Sequence, residues 1–190
     1  KEHRNELARK NINRAFYSYQ KDANRRDIRF HLTMDEFVNI VLTPCAYCGD
    51  ISEEKQFNGV DRVDSKGHYT IDNCVSACTL CNLLKHVIPV DLFFLRIEHI
   101  LTYLGRLAGN LHSDAFPNFF SGDYDAFAKS AKVRNIEFHL TNTEFTEISR
   151  NDCYLCGKSN RFNHRNGVDR FDNNLGYTVD NARPCCNTCN

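Results

Sequence analysis

The chain has 190 residues, of which 42% are hydrophobic, and a formal net charge of zero, with 24 Lys and Arg against 24 Asp and Glu. This length suits one large domain or two small ones, and the balanced charge argues against a protein that coats nucleic acid by electrostatics alone. No apolar run is long enough for a membrane span and no signal-peptide stretch opens the sequence, so we expect an intracellular protein, cytoplasmic or nuclear.

The first segments combine a basic helix with a short strand. Residues 7–26 are polar and helix-prone, and residues 28–32 alternate in the manner of a strand. The Thr33-x-x-Glu36 capping box then opens a short helix that buries Phe37. A local phosphate-binding face is compatible with the basic residues of this region. They are Lys1, Arg4, Arg9, Lys10, Arg14, Lys21, Arg25, Arg26 and Arg29.

Eight of the ten cysteines form C-x2-C pairs, the spacing of zinc knuckles. The pairs are Cys45/Cys48, Cys78/Cys81, Cys153/Cys156 and Cys186/Cys189. In a chain expected inside the cell, such pairs indicate metal sites before disulfides. We therefore predict two structural zinc ions, each closed by four thiolates and with no open position for chemistry. Cys74 and Cys185 stay outside the pattern.

A β-hairpin and a helix follow the first knuckle. After the Asn58-Gly59 turn dipeptide, residues 60–63 and 69–71 are predicted to pair across a turn near Lys66-Gly67. The second knuckle then leads into a helix that carries Asn82 and Lys85.

The connector after this helix has apolar residues at helical spacing from Pro89 to about Leu107. We predict one long amphipathic helix, started by Pro89 and ended at Gly105 or Gly109. Its apolar face is expected to join the two halves of the chain; the alternative is that it docks in a groove of a protein partner.

The sequence repeats itself with an offset of 108 residues and no gap. Between residues 45–82 and 153–190, 16 of 38 positions are identical, including the knuckles and the Asn-Gly-Val-Asp-Arg segment. The Phe-His-Leu-Thr segment at 30–33 recurs at 138–141. Two copies of one module are therefore expected. The partner of Lys85 would be residue 193, so the last helix of the second module is expected to be cut short.

The order C-x2-C, G-V-D-R-x-D, Y-T, D-N and C-x2-C-N resembles the zinc-containing HNH (ββα-metal) endonucleases, in particular a GVDR subgroup that includes small homodimeric restriction enzymes. The resemblance implies an α+β fold of two tandem HNH-like modules, each with a four-cysteine zinc site, joined by the amphipathic helix. The expected domains are a first module over 1–88, a connector over 89–122 and a second module over 123–190.

The resemblance also implies a catalytic site in each module. Mapped onto this sequence, the metal-binding Asp is Asp61 or Asp169, and the Asn that braces the loop is Asn73 or Asn181. The second metal ligand, on the helix, is Asn82 or Asn190. The expected catalytic ion is Mg²⁺ or Mn²⁺. These site residues are Asp61, Asn73, Asn82, Asp169, Asn181 and Asn190.

The position of the catalytic His holds Arg62 or Arg170. Arginine stays protonated near neutral pH, so it can clamp a phosphate but cannot act as a general base. A further candidate is the recurring pair His31 and His139, either as substitute bases or phosphate contacts, or as surface residues without a role. Tyr47 and Tyr154 occupy different places in their knuckles, which argues against equivalent roles.

The implied function is metal-dependent hydrolysis of double-stranded DNA, with two modules that act on opposite strands. The missing base and the zero net charge favour the alternative: an HNH-derived nucleic-acid-binding protein, or a structural subunit of a larger assembly, without cleavage.

Overall fold

The structure, a computed structural model, describes residues 2–51 and 57–190, with side chains from residue 10 onward. The chain divides into two compact units, Lys1–Phe93 and Phe94–Asn190. Each unit contains one two-stranded antiparallel sheet, and helices surround it. The predicted α+β class is confirmed, whereas the domain boundaries at 88 and 122 stay a prediction.

The first unit has a ββα core preceded by two helices. The long helix α1 and the short helix α2 pack beside strands β1 and β2, and the helix α3 follows the second knuckle. The elements are α1 Glu2–Arg25, α2 Met34–Val41, β1 Gly59–Arg62, β2 Cys74–Ala77, α3 Thr79–Lys85 and the start of α4 Val90–Tyr103.

The second unit repeats this order without the final helix. Residues 187–189 after its last strand form a turn. The elements that follow α4 are a 3₁₀ turn Ser113–Ala115, α5 Tyr124–Val133, α6 Asn142–Ser149, β3 Gly167–Arg170 and β4 Ala182–Cys185.

The two sheets share one register. Gly59 pairs with Ala77 in the first sheet, and Gly167 pairs with Cys185 in the second, which is the same pairing displaced by 108 residues. The gapless sequence repeat is therefore also a repeat of strand register.

The strands do not all lie where the sequence pattern placed them. The partner of β1 is 74–77 rather than 69–71, and the alternating segment 28–32 forms only a single bridge, Phe30 to Tyr69. The reason is the loop: Tyr69 exchanges its backbone hydrogen bonds with Arg29 and His31, so it is not available to β1. The turn of the hairpin is correspondingly longer.

Local signals placed the short helices correctly. Both capping boxes are present, with the Thr33 and Thr141 hydroxyls accepting from the backbone of Glu36 and Glu144. The connector helix is confirmed as α4 Val90–Tyr103, and Gly105, with φ +66, lies just beyond its end. Glycine adopts this left-handed conformation without a steric cost.

Aromatic residues form most of each core. Phe16 of α1 lies edge-on to both Phe30 and Phe37, at centroid distances of 5.4 Å. In the second unit, Tyr124 of α5 lies edge-on to Phe145 at 6.0 Å, and the Phe127 ring is tilted against Phe145 at 5.1 Å. Such small cores stabilise a module of this size only modestly, so the cysteine clusters matter for stability.

Candidate functional site

Each unit contains one cluster of four cysteines. The Sγ atoms of each group lie within 4.8 Å of one another, and the groups are those that the C-x2-C spacing predicts. Cys48 and Cys78 approach to 3.7 Å, as do Cys156 and Cys186. Four thiolates at this separation fit a tetrahedral zinc ion and leave no open coordination position.

The cysteines of the first cluster differ: the pKa of Cys45 is lowered, whereas burial and the neighbouring thiols raise the pKa of Cys81. Burial opposes the ionisation of Cys45, but hydrogen bonds from the backbone of Cys78, Tyr47 and Cys48 outweigh it and lower the pKa of Cys45 to about 7. A lowered pKa prepares the sulfur to bind a metal.

Asp61 of β1 is almost fully buried, with 5% of its surface exposed. Its Oδ2 atom accepts two hydrogen bonds, one from the Tyr47 hydroxyl at 2.5 Å and one from the Lys85 ammonium at 2.9 Å. Lys85 has no exposed surface and also donates to the carbonyl of Arg62 at 3.1 Å. The aspartate is thus neutralised by a lysine from α3.

Asp169 in the second unit repeats part of this arrangement. Its Oδ2 accepts a hydrogen bond of 3.0 Å from the Tyr154 hydroxyl. The expectation that Tyr47 and Tyr154 differ in role is wrong on this point, because both hydroxyls reach the equivalent carboxylate from one-residue-shifted places in the knuckle. Burial and the bond to the carboxylate raise the pKa of both tyrosines, so each keeps its proton.

Arg62 and Arg170 both turn back onto their own hairpin loops. The Arg62 guanidinium donates to the carbonyl of Gly67 and lies 5.0 Å above the Tyr69 ring. Arg170 donates to the equivalent carbonyl, that of Leu175, at 2.7 Å and lies 5.5 Å above Tyr177. The position expected for the catalytic base is therefore occupied, in both units, by an arginine that stabilises the hairpin loop.

Asn73 and Asn181 stabilise the same loops through hydrogen bonds to the loop backbone. The Asn73 amide accepts from the backbone of Asp64 and donates to the carbonyls of Asp64 and His68. Asn181 makes the equivalent bonds to Asp172 and Gly176. These three bonds fix the conformation of each hairpin turn.

An open cavity of about 700 Å³ lies beside Asp61, between α1 and α3. Asp61, Arg62 and Asn82 all line it, and so does His86, which follows α3. The His86 backbone has φ 50 and ψ −122, a conformation that glycine adopts readily and other residues rarely do. No hydrogen bond of the imidazole appears among the described residues.

His31 is not among the residues that line this cavity. His31 and His139 are both exposed, and their backbone N–H groups bond to Tyr69 and Tyr177. The His139 ring contacts the exposed Glu137 at 3.3 Å. Asn190, the last predicted ligand, is exposed, and its backbone bonds to Cys186.

The residues around Asp61 suit a hydrated magnesium ion. Both hydrogen bonds of Asp61 fall on Oδ2; Oδ1 has none among the described residues and is not one of the buried unsatisfied atoms. The Asn82 amide shares the cavity wall. One carboxylate oxygen and one amide oxygen are compatible with Mg²⁺, which usually keeps several waters and completes its shell with substrate phosphate.

Sequence patterns missed four participants: Tyr47, Lys85 and His86 in the first unit and Tyr154 in the second. The tyrosines were not recognised as equivalent because their positions within the two knuckles differ by one residue. Lys85 looks like a solvent-facing helix residue, and only the packing of α3 on β1 shows it to be buried. For His86, the sequence signal was its position directly after a helix, because a non-glycine residue at such a position often has a strained backbone.

Comparisons with known proteins give two curated relatives. An "Uncharacterized protein R423" of Acanthamoeba polyphaga mimivirus is 35% identical over 175 residues, which is 92% of this chain and 33% of that protein. An SPbeta prophage-derived protein of Bacillus subtilis (strain 168), YoqL, provisionally named an HNH endonuclease, is 33% identical over 84 residues, 37% of this chain and 35% of that protein. The chain spans about a third of the length of each relative.

No protein-family profile matches the chain. Among solved structures, the rare-cutting HNH restriction endonuclease PacI, described with a mechanism of DNA perturbation, is 20% identical and has a TM-score of 0.37. The match covers 66% of this chain and 82% of that chain. A structural likeness at this level does not establish a shared function. The similarity to YoqL is what supports the HNH endonuclease family. Among the described residues, no helix has the length and apolar character to cross a membrane.

Proposed function

We propose that this chain is a metal-dependent DNA endonuclease of the HNH type, built from two tandem zinc-stabilised modules. The observation that carries the proposal is the shared cavity of Asp61 and Asn82, a carboxylate and an amide that reach one solvent-accessible space from β1 and α3. The similarity to YoqL over part of the chain supports the same conclusion.

In the first module, Asp61 and Asn82 are the residues that would hold Mg²⁺ or Mn²⁺. When bound, this ion supplies charge neutralisation for the phosphodiester in the transition state. Lys85 and Tyr47 orient the Asp61 carboxylate through its other oxygen. Both bonds fall on Oδ2, so Oδ1 has no hydrogen bond among the described residues.

The proton acceptor of the first module is His86 in this proposal. Arg62 is committed to the loop carbonyl of Gly67, and Tyr47 keeps its proton because of its raised pKa. Histidine exchanges a proton near neutral pH, and His86 lines the same cavity as Asp61. His31 is then a surface residue rather than the base.

The second module would use Asp169 and Asn190 as metal ligands and Asn181 as the loop brace; the counterparts of Lys85 and His86 would be residues 193 and 194, which the 190-residue sequence does not include. Arg170 stabilises the loop as Arg62 does. His139 is a surface residue like His31. Two such modules cut opposite strands of double-stranded DNA inside the cell.

One observation favours a second function, nucleic-acid binding without cleavage. The Lys85 ammonium lies 2.9 Å from Asp61 and already balances its charge, which weakens the attraction of Asp61 for a divalent cation. In that case the first module contacts the phosphate backbone and does not hydrolyse it.

Plasmid cleavage separates the two functions. Purified protein with both zinc sites filled is incubated with supercoiled plasmid in Mg²⁺, in Mn²⁺ and in EDTA. An endonuclease converts the plasmid in the presence of either metal and not in EDTA, and the Asp61→Asn/Asp169→Asn variant loses this activity. Binding without metal-dependent conversion supports the second function.

A further inference from the structure

Two adjoining cavities form a trough along helix α1 of the first unit. One is the cavity of about 700 Å³ beside Asp61, and the other has a volume of about 420 Å³. The residues that line both are Ala15, Ser18 and Tyr19 of α1 and Thr79 of α3. The two cavities therefore lie next to each other, with α1 on one side and β1 beneath.

The α1 wall presents polar and cationic groups at helical spacing. Asn11, Arg14 and Ser18 line one end, and Asp22 and Arg26 line the other. Residues three or four apart share one helix face, so these side chains form a single row. Arg14 and Arg26 are exposed, and neither makes a salt bridge among the described residues. Asp22, the acid in the row, is balanced by Arg25 at 3.2 Å.

Helix α1, the wall of the trough, is bonded directly to strand β1, which forms the floor. The Tyr19 hydroxyl accepts a hydrogen bond of 2.9 Å from the backbone of Val60, and a side chain at Gly59 would meet this hydroxyl at 2.7 Å. The absence of a Cβ at Gly59 thus allows α1 to approach β1 closely. Asp61 lines the larger of the two cavities beside this contact.

We propose that one strand of DNA lies in this trough, with its phosphates contacting Arg14 at one end and Arg26 at the other. Arg26 follows the last residue of α1 and is twelve positions from Arg14, about 18 Å at the helical rise of 1.5 Å per residue. Measured along the axis of a duplex, a DNA strand advances about 3.4 Å per phosphate, so a trough parallel to that axis spans about five phosphates. This inference deepens the proposed function, on which it rests, because it assigns the strand's path to the Asp61 cavity.

Salt-dependent binding tests the path without cleavage. The wild-type protein, loaded with zinc and kept in EDTA-free buffer without Mg²⁺ or Mn²⁺, is titrated with a fluorescent 20-base-pair DNA duplex at several salt concentrations. Each phosphate contact contributes about 0.9 to the slope of log K against log salt. In Arg14→Gln/Arg26→Gln the slope is expected to fall by about 1.8, with affinity at 0.1 M salt weaker by about tenfold per arginine.

Lys21→Gln is the matched control, since Lys21 is exposed on α1 and lines neither cavity. An unchanged slope in Arg14→Gln/Arg26→Gln, or an equal decrease in Lys21→Gln, contradicts the path. Tighter binding of an RNA duplex of the same sequence contradicts the assignment to DNA. Failure of the proposed endonuclease is distinct, because it appears as absent plasmid cleavage while the arginine-dependent slope persists.

Discussion

Lys85 and Asp61 form an ion pair with an N–O distance of 2.9 Å in which the lysine has no exposed surface. Desolvation of two charges is costly, so the stability of the pair depends on the further bonds that its members make. Asp61 receives the Tyr47 hydroxyl, and Lys85 donates to the carbonyl of Arg62. The pair therefore ties α3 to the first knuckle and to β1.

Removal of one partner leaves the other charge buried without a counter-ion. Lys85→Met is expected to lower the free energy of unfolding by about 3–5 kcal/mol, because Asp61 remains at 5% exposure. Urea denaturation of the zinc-loaded protein measures this. The Lys85→Met/Asp61→Asn variant should recover most of the loss, since no lone charge remains; a double variant as unstable as the single one would show that the pair itself is not the cause.

The two tyrosines are expected to differ in their effect on stability. Tyr47→Phe removes a bond to a carboxylate that is almost fully buried, which costs roughly 1.5–3 kcal/mol. Tyr154→Phe removes the equivalent bond to the partly exposed Asp169 and costs roughly 1 kcal/mol. Denaturation of both variants gives the comparison, and equal losses would contradict the difference in burial.

Zinc binding is expected to depend on the eight paired cysteines, whose two clusters could each hold one ion. Elemental analysis should give two zinc ions per protein, and Cys78→Ser or Cys186→Ser should each leave one. Cys74→Ala is the control, because Cys74 is buried in the hydrophobic core of the first unit, where burial raises the pKa of its thiol to about 11. Loss of zinc from Cys74→Ala would show that the ligand set is different.

His86→Gly separates stability from activity. Glycine adopts φ 50 and ψ −122 without strain, so the variant is expected to be more stable than wild type by about 1 kcal/mol. If His86 is the base, the same variant forms linear plasmid at least 100-fold more slowly, while the second module still nicks the DNA. His68→Ala, in which an exposed histidine outside the cavity is removed, serves as the control for activity. Linear product from His86→Gly at the wild-type rate would remove His86 from the mechanism.

The sequence was sufficient to predict the features that local patterns encode. The C-x2-C spacing identified both cysteine clusters, the capping boxes identified α2 and α6, and the offset of 108 residues predicted the common strand register. Each of these depends on residues close in sequence or on a repeat that can be read directly.

The features it could not predict depend on contacts between distant segments. Tyr69 alternates with its neighbours like a strand residue, yet it pairs with Phe30 because that aromatic contact, at 5.2 Å, lies in the core. The position of Arg62 in the sequence, at the place of a catalytic base, does not indicate that its guanidinium bonds to the carbonyl of Gly67. Burial of Lys85 follows only from the packing of α3 against β1.

The ratio of nicked to linear plasmid tests the two-module endonuclease most directly. Wild-type protein in Mg²⁺ or Mn²⁺ should produce linear DNA, whereas Asp61→Asn and Asp169→Asn, each with two zinc ions and a cooperative unfolding transition, should produce only nicked circles. The variant with both substitutions should leave the plasmid supercoiled. Supercoiled plasmid after incubation with wild-type protein in either metal, or linear product at the wild-type rate from the variant with both substitutions, would contradict the proposed function.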